Sequence, residues 1–349
     1  MTANPLISSE IKEKVSVRDF WYVACKSDEL KGKSPKGVEI LNEWVVLFRN
    51  EEGKACAMRD RCMHRNIQLS LGKVEKGCLR CPYHGWLYDG EGKVREVPAQ
   101  KKCPSLKNRT FPVKEQDGFI FVCLSKTPLL EEPYRSPYYG QKGWRSQRLI
   151  NRFNNDVTNC AENFIDVPHT VFVHPGIFRA SRDQHIEVKV TRKDGEVRVD
   201  YENETNNIGF FSRFLNPGNN KIVHVDHFYM PNFTSVEYHF GKNRHFYISS
   251  HSIPVNDEET LVYTDLTYNF GIWTPLAGPF VRMIGQKVID QDLVVLEEQM
   301  KCIKKYGRDF HNVAPDIVHI FIEQIQDEIA RGRDPRRLKP AEKKFEMWI

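Results

Sequence analysis

The sequence predicts an α+β protein in which a small all-β domain precedes a larger domain whose antiparallel sheet is covered by helices, an arrangement of the helix-grip type. Its 349 residues exceed what a single hydrophobic core usually supports. Short strand patterns with Gly-rich turns come first, and longer alternating segments and helical patterns follow. We therefore predict domains at residues 18–126 and 144–349, joined by a linker at 127–143 that is rich in Pro, Tyr and Gly.

The N-terminal domain is predicted from short apolar runs bounded by turn residues. The runs cover residues 39–48, 56–60, 78–81, 85–88 and 118–124. Runs of this length with frequent turns are typical of a small all-β unit.

The C-terminal domain is predicted from two kinds of periodicity. One helix-compatible stretch covers 156–174, and four alternating segments cover 185–201, 222–230, 245–253 and 260–269. Two further helical stretches follow at 279–305 and 313–331. We expect the alternating segments to form one antiparallel sheet, with the last two helices packed on it.

Composition excludes several classes of protein. Apolar residues make up 40% and charged residues 28% of the chain, as in ordinary globular proteins. The apolar runs at 44–48 and 119–124 are far shorter than the roughly 20 residues that cross a bilayer, and residues 1–20 lack an apolar signal core. We expect a cytoplasmic protein that does not bind membranes.

Net charge limits the binding partners to be expected, and cysteine content limits the chemical roles of the thiols. The net charge is only +5, with one basic stretch near 331–344, so nucleic acid is not an expected partner. A modest positive surface suits an acidic protein partner, although a merely solvated surface explains it equally well. Nine cysteines without the density of a secreted scaffold favour reduced thiols or metal ligands over disulfides.

Two short motifs bring cysteine and histidine together. Cys62 and His64 are separated by one residue, and Cys81 and His84 follow after 16 intervening residues with two residues between them. Two thiolates and two imidazoles on separate loops can hold a Rieske [2Fe-2S] cluster. Together with Cys78 they could also form a tetrahedral zinc site, so ligand types alone leave both readings open.

The surrounding residues resemble the Rieske family. One loop reads Cys-Met-His-Arg from Cys62, the other reads Cys-Pro-Tyr-His-Gly-Trp-Leu-Tyr-Asp from Cys81, and Gly72, Gly90 and Gly92 lie between and after them. The resemblance covers residues 18 to about 125. It implies that Cys62 and Cys81 bind one iron, that His64 and His84 bind the other, and that Pro82 and Gly85 shape the second loop. The other cysteines, including Cys78, are then small core or surface residues.

A second motif supplies two more histidines. Asp166 and His169 are three residues apart and would share a helix face, whereas an ideal helix would rotate His174 by about 140° from His169. Pro168 breaks that ideal because it lacks a backbone donor. Two histidines with one carboxylate form the facial triad of non-haem Fe(II) oxygenases, although two nearby histidines alone can be coincidence.

The third ligand is expected on the helical stretch at 279–305. A buried stripe is predicted from Val281, Ile284, Val288, Val295 and Cys302, with Ile289 and Leu296 widening it. Asp292 lies inside this stripe, while Asp290 and Glu297 point away from it. A buried carboxylate is costly unless it is paired or binds a metal, so Asp292 is the candidate ligand, with a buried salt bridge as the alternative.

The run from Glu162 to Pro175, which contains Asn163, Asp166, His169 and His174, resembles the iron-binding segment of Rieske oxygenases. This resemblance implies a terminal oxygenase component with a [2Fe-2S] cluster and a mononuclear Fe(II). It also implies a homotrimer in which Asp166 links the iron ligand His169 to His84 of a neighbouring subunit. Asn163 is a candidate catalytic neighbour, and a plain surface amide is the alternative.

The expected reaction is hydroxylation or oxidative demethylation of a small organic substrate with O2. The chain has no nucleotide-binding Gly-x-Gly-x2-Gly turn, so electrons are expected from a separate reductase, directly or through a ferredoxin that docks near Arg65, Lys73, Lys76 and Arg80. Length and motif favour the monooxygenase and demethylase branch. A ring cis-dihydroxylating dioxygenase, a Rieske electron-transfer protein and a zinc-stabilised binding module are the alternatives.

Pocket residues are expected from the sheet. The aromatic and apolar candidates are Phe228, Tyr229, Met230, Phe233 and Tyr247, for which an ordinary core position is the competing interpretation.

Overall fold

The computed structural model describes residues 12–32, 34–177, 184–202, 204, 216, 220–241 and 244–349. The chain divides into two compact units. One contains Val17–Arg135, and the other contains residues 12–16 together with Ser136–Ile349. The bounds of the domains and linker drawn from the sequence stay predictions.

The unit Val17–Arg135 consists of three antiparallel sheets. Its strands are β1 Trp21–Lys26, β2 Lys36–Ile40, β3 Glu43–Arg49, β4 Ala55–Arg59, β5 Lys73–Glu75, β6 Cys78–Arg80, β7 Leu87–Tyr88, β8 Val94–Glu96, β9 Thr110–Phe111, β10 Val113–Gln116 and β11 Phe119–Cys123. The sheet orders are β1-β11-β10, β2-β3-β4-β9 and β5-β6-β7-β8. Several short strands, such as β1 and β8, escaped the sequence prediction because two to six residues carry too little periodicity.

The larger unit is built on one eight-stranded antiparallel sheet, ordered β12-β18-β17-β16-β15-β14-β13-β19. Its strands are β12 Arg145–Phe153, β13 His185–Lys193, β14 Glu196–Glu202, β15 Ile222–Tyr229, β16 Phe233–Phe240, β17 His245–Asn256, β18 Glu259–Asn269 and β19 Ala341–Trp348. Its helices are α1 Val157–Asn163, α2 Thr170–Val173, α3 Gly278–Tyr306 and α4 Ile317–Ala330. These observations confirm the predicted fold class.

The predicted alternating segment 185–201 belongs to this sheet as expected, but it comprises two strands, because it folds into the hairpin of β13 and β14. Asp194 and Gly195 form its two-residue turn, with φ angles of 54° and 78°, and Lys193 pairs with Glu196. This is the Asp-Gly signal of a tight hairpin, which alternation alone does not reveal.

Three strands of the large sheet lie outside the predicted segments, namely β12, β16 and β19. β16 is polar on one face and lies close behind β15, so no clear boundary separates them in the sequence. β19 contains part of the basic stretch near the C-terminus and pairs with β13 through main-chain bonds that any sequence can make.

Helix α3 packs against β12 and β18 across an apolar core. Leu149 and Phe153 of the sheet belong to the same buried cluster as Val281, Ile289 and Leu296 of the helix. Within the described residues, no helix combines the length and apolar character that crossing a membrane requires.

The hairpin turn gives the first prediction. A Cβ atom at Gly195 would collide with the thioether of buried Met230 and would also sit at positive φ. Gly195→Ala should therefore lower the free energy of unfolding by about 2–4 kcal/mol, combining left-handed strain with overpacking. Urea unfolding followed by circular dichroism measures the loss.

Gly140→Ala is the matched control, because Gly140 has a similar φ of 73° but no atom within 4 Å of the added Cβ. It should cost only the backbone term of about 1–2 kcal/mol. Equal losses in the two variants would contradict the steric part of the argument.

Candidate functional site

Two short helices follow β12 in the described residues 154–177. Asp156 caps α1 by accepting hydrogen bonds from the backbone N–H groups of Thr158 and Asn159 at 3.0 and 3.1 Å. The predicted single helix at 156–174 is wrong, because the chain leaves α1 after Asn163 and starts α2 only at Thr170. Pro168 accounts for the interruption, since it lacks an N–H and disfavours helical geometry in the residue before it.

The two histidines flank the single turn of α2. His169 is its N-terminal cap, and His174 is its C-terminal cap with φ −119° and ψ 54°, outside helical geometry. The φ of His174 differs from the helical value by more than 50°, so its imidazole does not point where an ideal helix would direct it. The imidazole centroids are consequently 5.2 Å apart, with an interplanar angle of 77°.

Asp292 of α3 meets both histidines. Its Oδ1 lies 3.6 Å from His169 Nε2 and 3.0 Å from His174 Nε2. The side chains of His174 and Asp292 are 1% and 5% exposed, so this carboxylate is removed from water. The predicted stripe of α3 was partly wrong, because Val295 and Cys302 are exposed.

These three side chains fit a metal cation. One ligand atom from each of His169, His174 and Asp292 lies within 4.8 Å of the other two. Asp292 Oδ1 is buried and accepts no properly aligned hydrogen bond within the described part of the chain. A cation between these atoms would compensate the buried charge, and two imidazoles with one carboxylate suit Fe(II) while leaving coordination positions open.

The remaining ring nitrogens of the two histidines have polar partners. His169 Nδ1 lies 3.2 Å from Asp166 Oδ2, and His174 Nδ1 lies 3.0 Å from Gln291 Oε1. If each Nδ1–H donates to its oxygen, each Nε2 is free of a proton and can bind a metal. The sequence analysis missed Gln291 as a site residue, and its place beside Asp292 is the only signal that could have indicated it.

The charges around His169 favour a positive group at this position. Burial alone would lower the pKa of His169, but the hydrogen bond to Asp166 and the charges of Asp166 and Asp292 outweigh it and raise the pKa. Asn163 lines the adjacent cavity, and its Nδ2 is buried with no hydrogen-bond partner among the described residues. This amide donor is therefore available to a bound molecule.

A cavity of about 500 Å³ adjoins the three side chains, bounded by the α1–α2 segment, strands β15 to β18 and helix α3. The pocket residues expected from the sequence are wrong, because none of Phe228, Tyr229, Met230, Phe233 and Tyr247 lines it. Side chains alternate between the faces of a strand, so Thr234 and Ile248 face the cavity while Phe233 and Tyr247 point to the opposite face.

In the unit Val17–Arg135, the cysteines and histidines of the two Cys/His loops lie close together. Cys62 and Cys81 are buried, at 1% and 3% exposure, and their side chains interact. The rings of His64 and His84 are 4.5 Å apart, and Trp86 stacks on His64 at 5.0 Å. His64 Nδ1 is buried without a hydrogen-bond partner among the described residues. Paired thiols and an orphaned imidazole nitrogen fit a cluster held by two cysteines and two histidines.

Tyr88 is a neighbour that the motif analysis did not single out. Its Oη accepts a hydrogen bond from the Met63 N–H at 3.1 Å and lies 3.3 Å from Cys62 Sγ. Burial and the nearby Cys62 sulfur raise the pKa of Tyr88. The hydroxyl therefore stays protonated and can donate to a thiolate at Cys62.

Two protein families match the chain, one in each half. The family described as "Rieske [2Fe-2S] domain" matches residues 20–112, and the family described as "Vanillate O-demethylase oxygenase C-terminal domain" matches residues 153–328. The second match covers half of the chain. The chain belongs to the Rieske-type non-haem iron oxygenases. Its cofactors are accordingly a Rieske [2Fe-2S] cluster and a mononuclear non-haem iron, which decides against the zinc site considered above.

The curated relatives include demethylases, monooxygenases and a dioxygenase subunit. The chain is 32% identical over 203 residues to methylxanthine N1-demethylase NdmA of Pseudomonas putida, covering 54% of this chain and 57% of the relative. It is 33% identical over 188 residues to the dicamba O-demethylase oxygenase component of Stenotrophomonas maltophilia, covering 52% and 55%. The matches thus span about half the length of these relatives.

The fold extends further than the sequence matches. The crystal structure of dicamba monooxygenase bound to dicamba superposes with a TM-score of 0.79, covering 91% of this chain and 98% of that one at 22% identity. At this identity the likeness establishes the fold alone.

The three converging side chains give the second prediction. His169→Ala removes one nitrogen ligand, so total iron should fall from about three to about two per chain, while acid-labile sulfide stays at about two. Elemental and sulfide analysis of anaerobically purified protein measures both. His185→Ala, at an exposed histidine paired with Glu346, is the control and should retain all the iron. Unchanged iron in the His169 variant would contradict the assignment.

The Tyr88 hydroxyl gives the third prediction. A donor to the sulfur stabilises the more negative, reduced cluster, so Tyr88→Phe should lower its reduction potential. A contribution of about 1.4 kcal/mol corresponds to about 60 mV in a one-electron couple. Redox titration monitored by EPR measures the shift. Tyr22→Phe, whose hydroxyl donates to Val17 O instead, should leave the potential unchanged, and equal shifts would count against the role of Tyr88.

Proposed function

We propose that the chain is the terminal oxygenase component of a multicomponent system that hydroxylates or oxidatively demethylates a small organic substrate with O2. The observation that carries this proposal is the convergence of His169, His174 and Asp292 beside a 500 Å³ cavity. The second family match covers the half of the chain that a pure electron-transfer protein would not need. A cytoplasmic location stays a prediction.

The ligand assignments are part of the proposal. Cys62 and Cys81 would hold one iron of the cluster, and His64 and His84 would hold the other. His169, His174 and Asp292 would hold the mononuclear Fe(II). When bound, the cluster supplies electrons and the Fe(II) supplies the oxidising chemistry.

The protein side chains around the iron position and protect it. Asp166 and Gln291 orient the two imidazoles through their Nδ1 atoms, which keeps each Nε2 directed at the metal position. Apolar side chains of β16 to β18 and α3 cover much of the cavity, so a bound substrate would displace water from beside the reacting atoms. Asn163, with its unpaired amide donor, would contact the bound molecule directly.

We further propose a homotrimer and a separate reductase, with or without a ferredoxin. Both follow from the family resemblance. Asp166 is 36% exposed although one of its oxygens contacts His169, so the other oxygen can accept a bond from outside this site. In the proposed trimer that donor is His84 of a neighbouring subunit.

Of the side chains suggested for donor docking, Arg80 is engaged in ion pairs with Glu75 and Glu96, and Lys73 also pairs with Glu75. Arg65 and Lys76 are exposed. We propose these two as the better candidates for contact with an acidic donor protein.

The link through Asp166 gives the fourth prediction. Asp166→Asn keeps the shape but cannot accept hydrogen bonds from two imidazoles with both oxygens. Substrate-coupled O2 uptake should fall by about 100-fold, the upper end of what loss of such a partner costs. Iron, sulfide and the cluster EPR signal should stay unchanged. Asp290→Asn, an exposed carboxylate on α3 bonded to Gln286, is the control.

A complementation experiment tests the trimer itself. Asp166→Asn chains carry an intact cluster site, whereas Cys81→Ser chains carry an intact Asp166. If electrons cross between subunits, co-expressed mixed oligomers should regain coupled turnover that neither variant shows alone. No recovery in mixed oligomers of verified composition would overturn the route between subunits, and normal turnover by the Asp166 variant would overturn the role of that residue.

A further inference from the structure

One charged side chain ends an otherwise aliphatic row on the cavity wall. Strand register places Asp226 of β15 opposite Val236, Val236 opposite Ile248, and Ile248 opposite Leu266, and all four side chains line the cavity. A buried carboxylate in an apolar wall is costly unless hydrogen bonds compensate it. Its presence therefore calls for an explanation.

Asp226 belongs to a buried hydrogen-bonded network. His224, two residues earlier on the same face of β15, donates from Nε2 to Asp226 Oδ1 at 3.0 Å and from Nδ1 to Glu204 Oε2 at 2.8 Å. The Tyr201 hydroxyl donates to Asp226 Oδ2 at 3.0 Å. The imidazole is stacked between Tyr201 and Tyr238, with centroids 4.3 and 4.1 Å away.

Two groups of this network, the His224 imidazole and the Tyr201 hydroxyl, have raised pKa values. Burial alone would lower the pKa of His224, but the charges of Asp226 and Glu204 outweigh it and raise the pKa to about 9. Burial and the Asp226 charge raise the pKa of Tyr201, so this hydroxyl remains a donor. Both imidazole N–H groups and the phenolic O–H are therefore present as hydrogen-bond donors within the network.

The donor groups of His224 and Tyr201 bind acceptors inside the network, whereas Asp226 can accept further hydrogen bonds. Both N–H groups of His224 point to carboxylates, and the Tyr201 hydroxyl points to Asp226. Two ionised carboxylate oxygens offer about four lone-pair positions, and the network fills two of those on Asp226.

We propose that Asp226 is a specificity-determining residue that accepts a hydrogen bond from the substrate, so that the cavity selects molecules bearing an ammonium, amide N–H or hydroxyl group. Carboxylates placed at the same position are disfavoured, because they carry no hydrogen to donate and would face the Asp226 carboxylate. This inference rests on the proposed function only in taking the cavity as the substrate site.

Two other polar features of the wall are less selective. Thr234, Ser250 and Thr264 form a cross-strand row of hydroxyls, with Ser250 and Thr264 3.2 Å apart, and hydroxyls both donate and accept. Arg244 also lines the cavity and could pair with an anion. The relative affinities of charged and neutral ligands therefore show whether Asp226 or Arg244 dominates recognition.

Calorimetric titration of the iron-loaded protein under argon, without reductant, tests the proposal with four probes of similar size. They are 4-methoxybenzylamine, 4-methoxybenzyl alcohol, 4-ethylanisole and 4-methoxybenzoate. The amine and the alcohol should bind about 10- to 100-fold more tightly than 4-ethylanisole, as expected for a hydrogen bond to a charged acceptor, and the benzoate should bind most weakly.

Asp226→Asn should erase most of this preference while leaving the affinity for 4-ethylanisole unchanged. Asp200→Asn is the control, because Asp200 lies on the same sheet, pairs with Arg198 and does not line the cavity. Its ranking of the four probes should match that of the unmodified protein. Circular dichroism establishes that each variant is folded.

The ranking by the unmodified protein decides the proposal even if the Asp226 variant does not fold. Donor-bearing probes that bind no better than 4-ethylanisole overturn it, and preferred binding of the benzoate assigns recognition to Arg244 instead. These measurements involve no turnover. Iron content and O2 uptake test the proposed function separately, so failure of one is distinguishable from failure of the other.

Discussion

The buried carboxylate of Asp292 is the constraint on which the larger unit depends. A lone charge at this depth would cost several kcal/mol, and the two imidazole nitrogens beside it cannot compensate it fully while they are neutral. A divalent cation resolves this conflict, because it pairs with the carboxylate and uses the neutral nitrogens as ligands. The apolar packing of α3 on β12 and β18 then fixes where that cation can sit.

The backbone from the end of α1 to His174 is irregular. The helix stops at Asn163, before Pro168, and resumes for the single turn between His169 and His174, so the two imidazoles approach Asp292 from the two ends of that turn. The polar partners at each Nδ1 are also of different kinds. Gln291 is a neutral amide on helix α3 beside Asp292, whereas Asp166 is a half-exposed carboxylate, so the His169 side offers a charged group beyond the proposed iron ligands.

Sequence reasoning identified the candidate ligands that lie close to one another along the chain. The pairs Cys62 with His64 and Cys81 with His84 lie on single loops, and the two histidines of the iron site are five residues apart. Asp292 could also be identified from the sequence, because a carboxylate inside an apolar helical stripe is unusual. The ligand roles of all seven residues remain predictions until metal content is measured in variants.

The contacts that sequence reasoning missed depend on tertiary register. Tyr88 reaches Cys62 across 26 residues, and Glu204 reaches His224 across 20. No local pattern distinguishes such partners from ordinary core residues. The pocket residues were missed for a related reason, since the choice between Phe233 and Thr234 depends on which face of β16 the sheet turns to the cavity.

Strand register consequently determines the chemistry of the cavity as much as residue identity does. In the observed pairing, Asp226 and His224 face the cavity while Val225 and His227 face the other side of the sheet. A slip of one residue along β15 would exchange these sets and remove the carboxylate from the wall. The tight hairpin at Asp194 and Gly195 holds β14 in place, and β14 pairs Val199 with Asp226 and Tyr201 with His224. The turn at Gly195 and the polar wall around Asp226 are therefore coupled through β14.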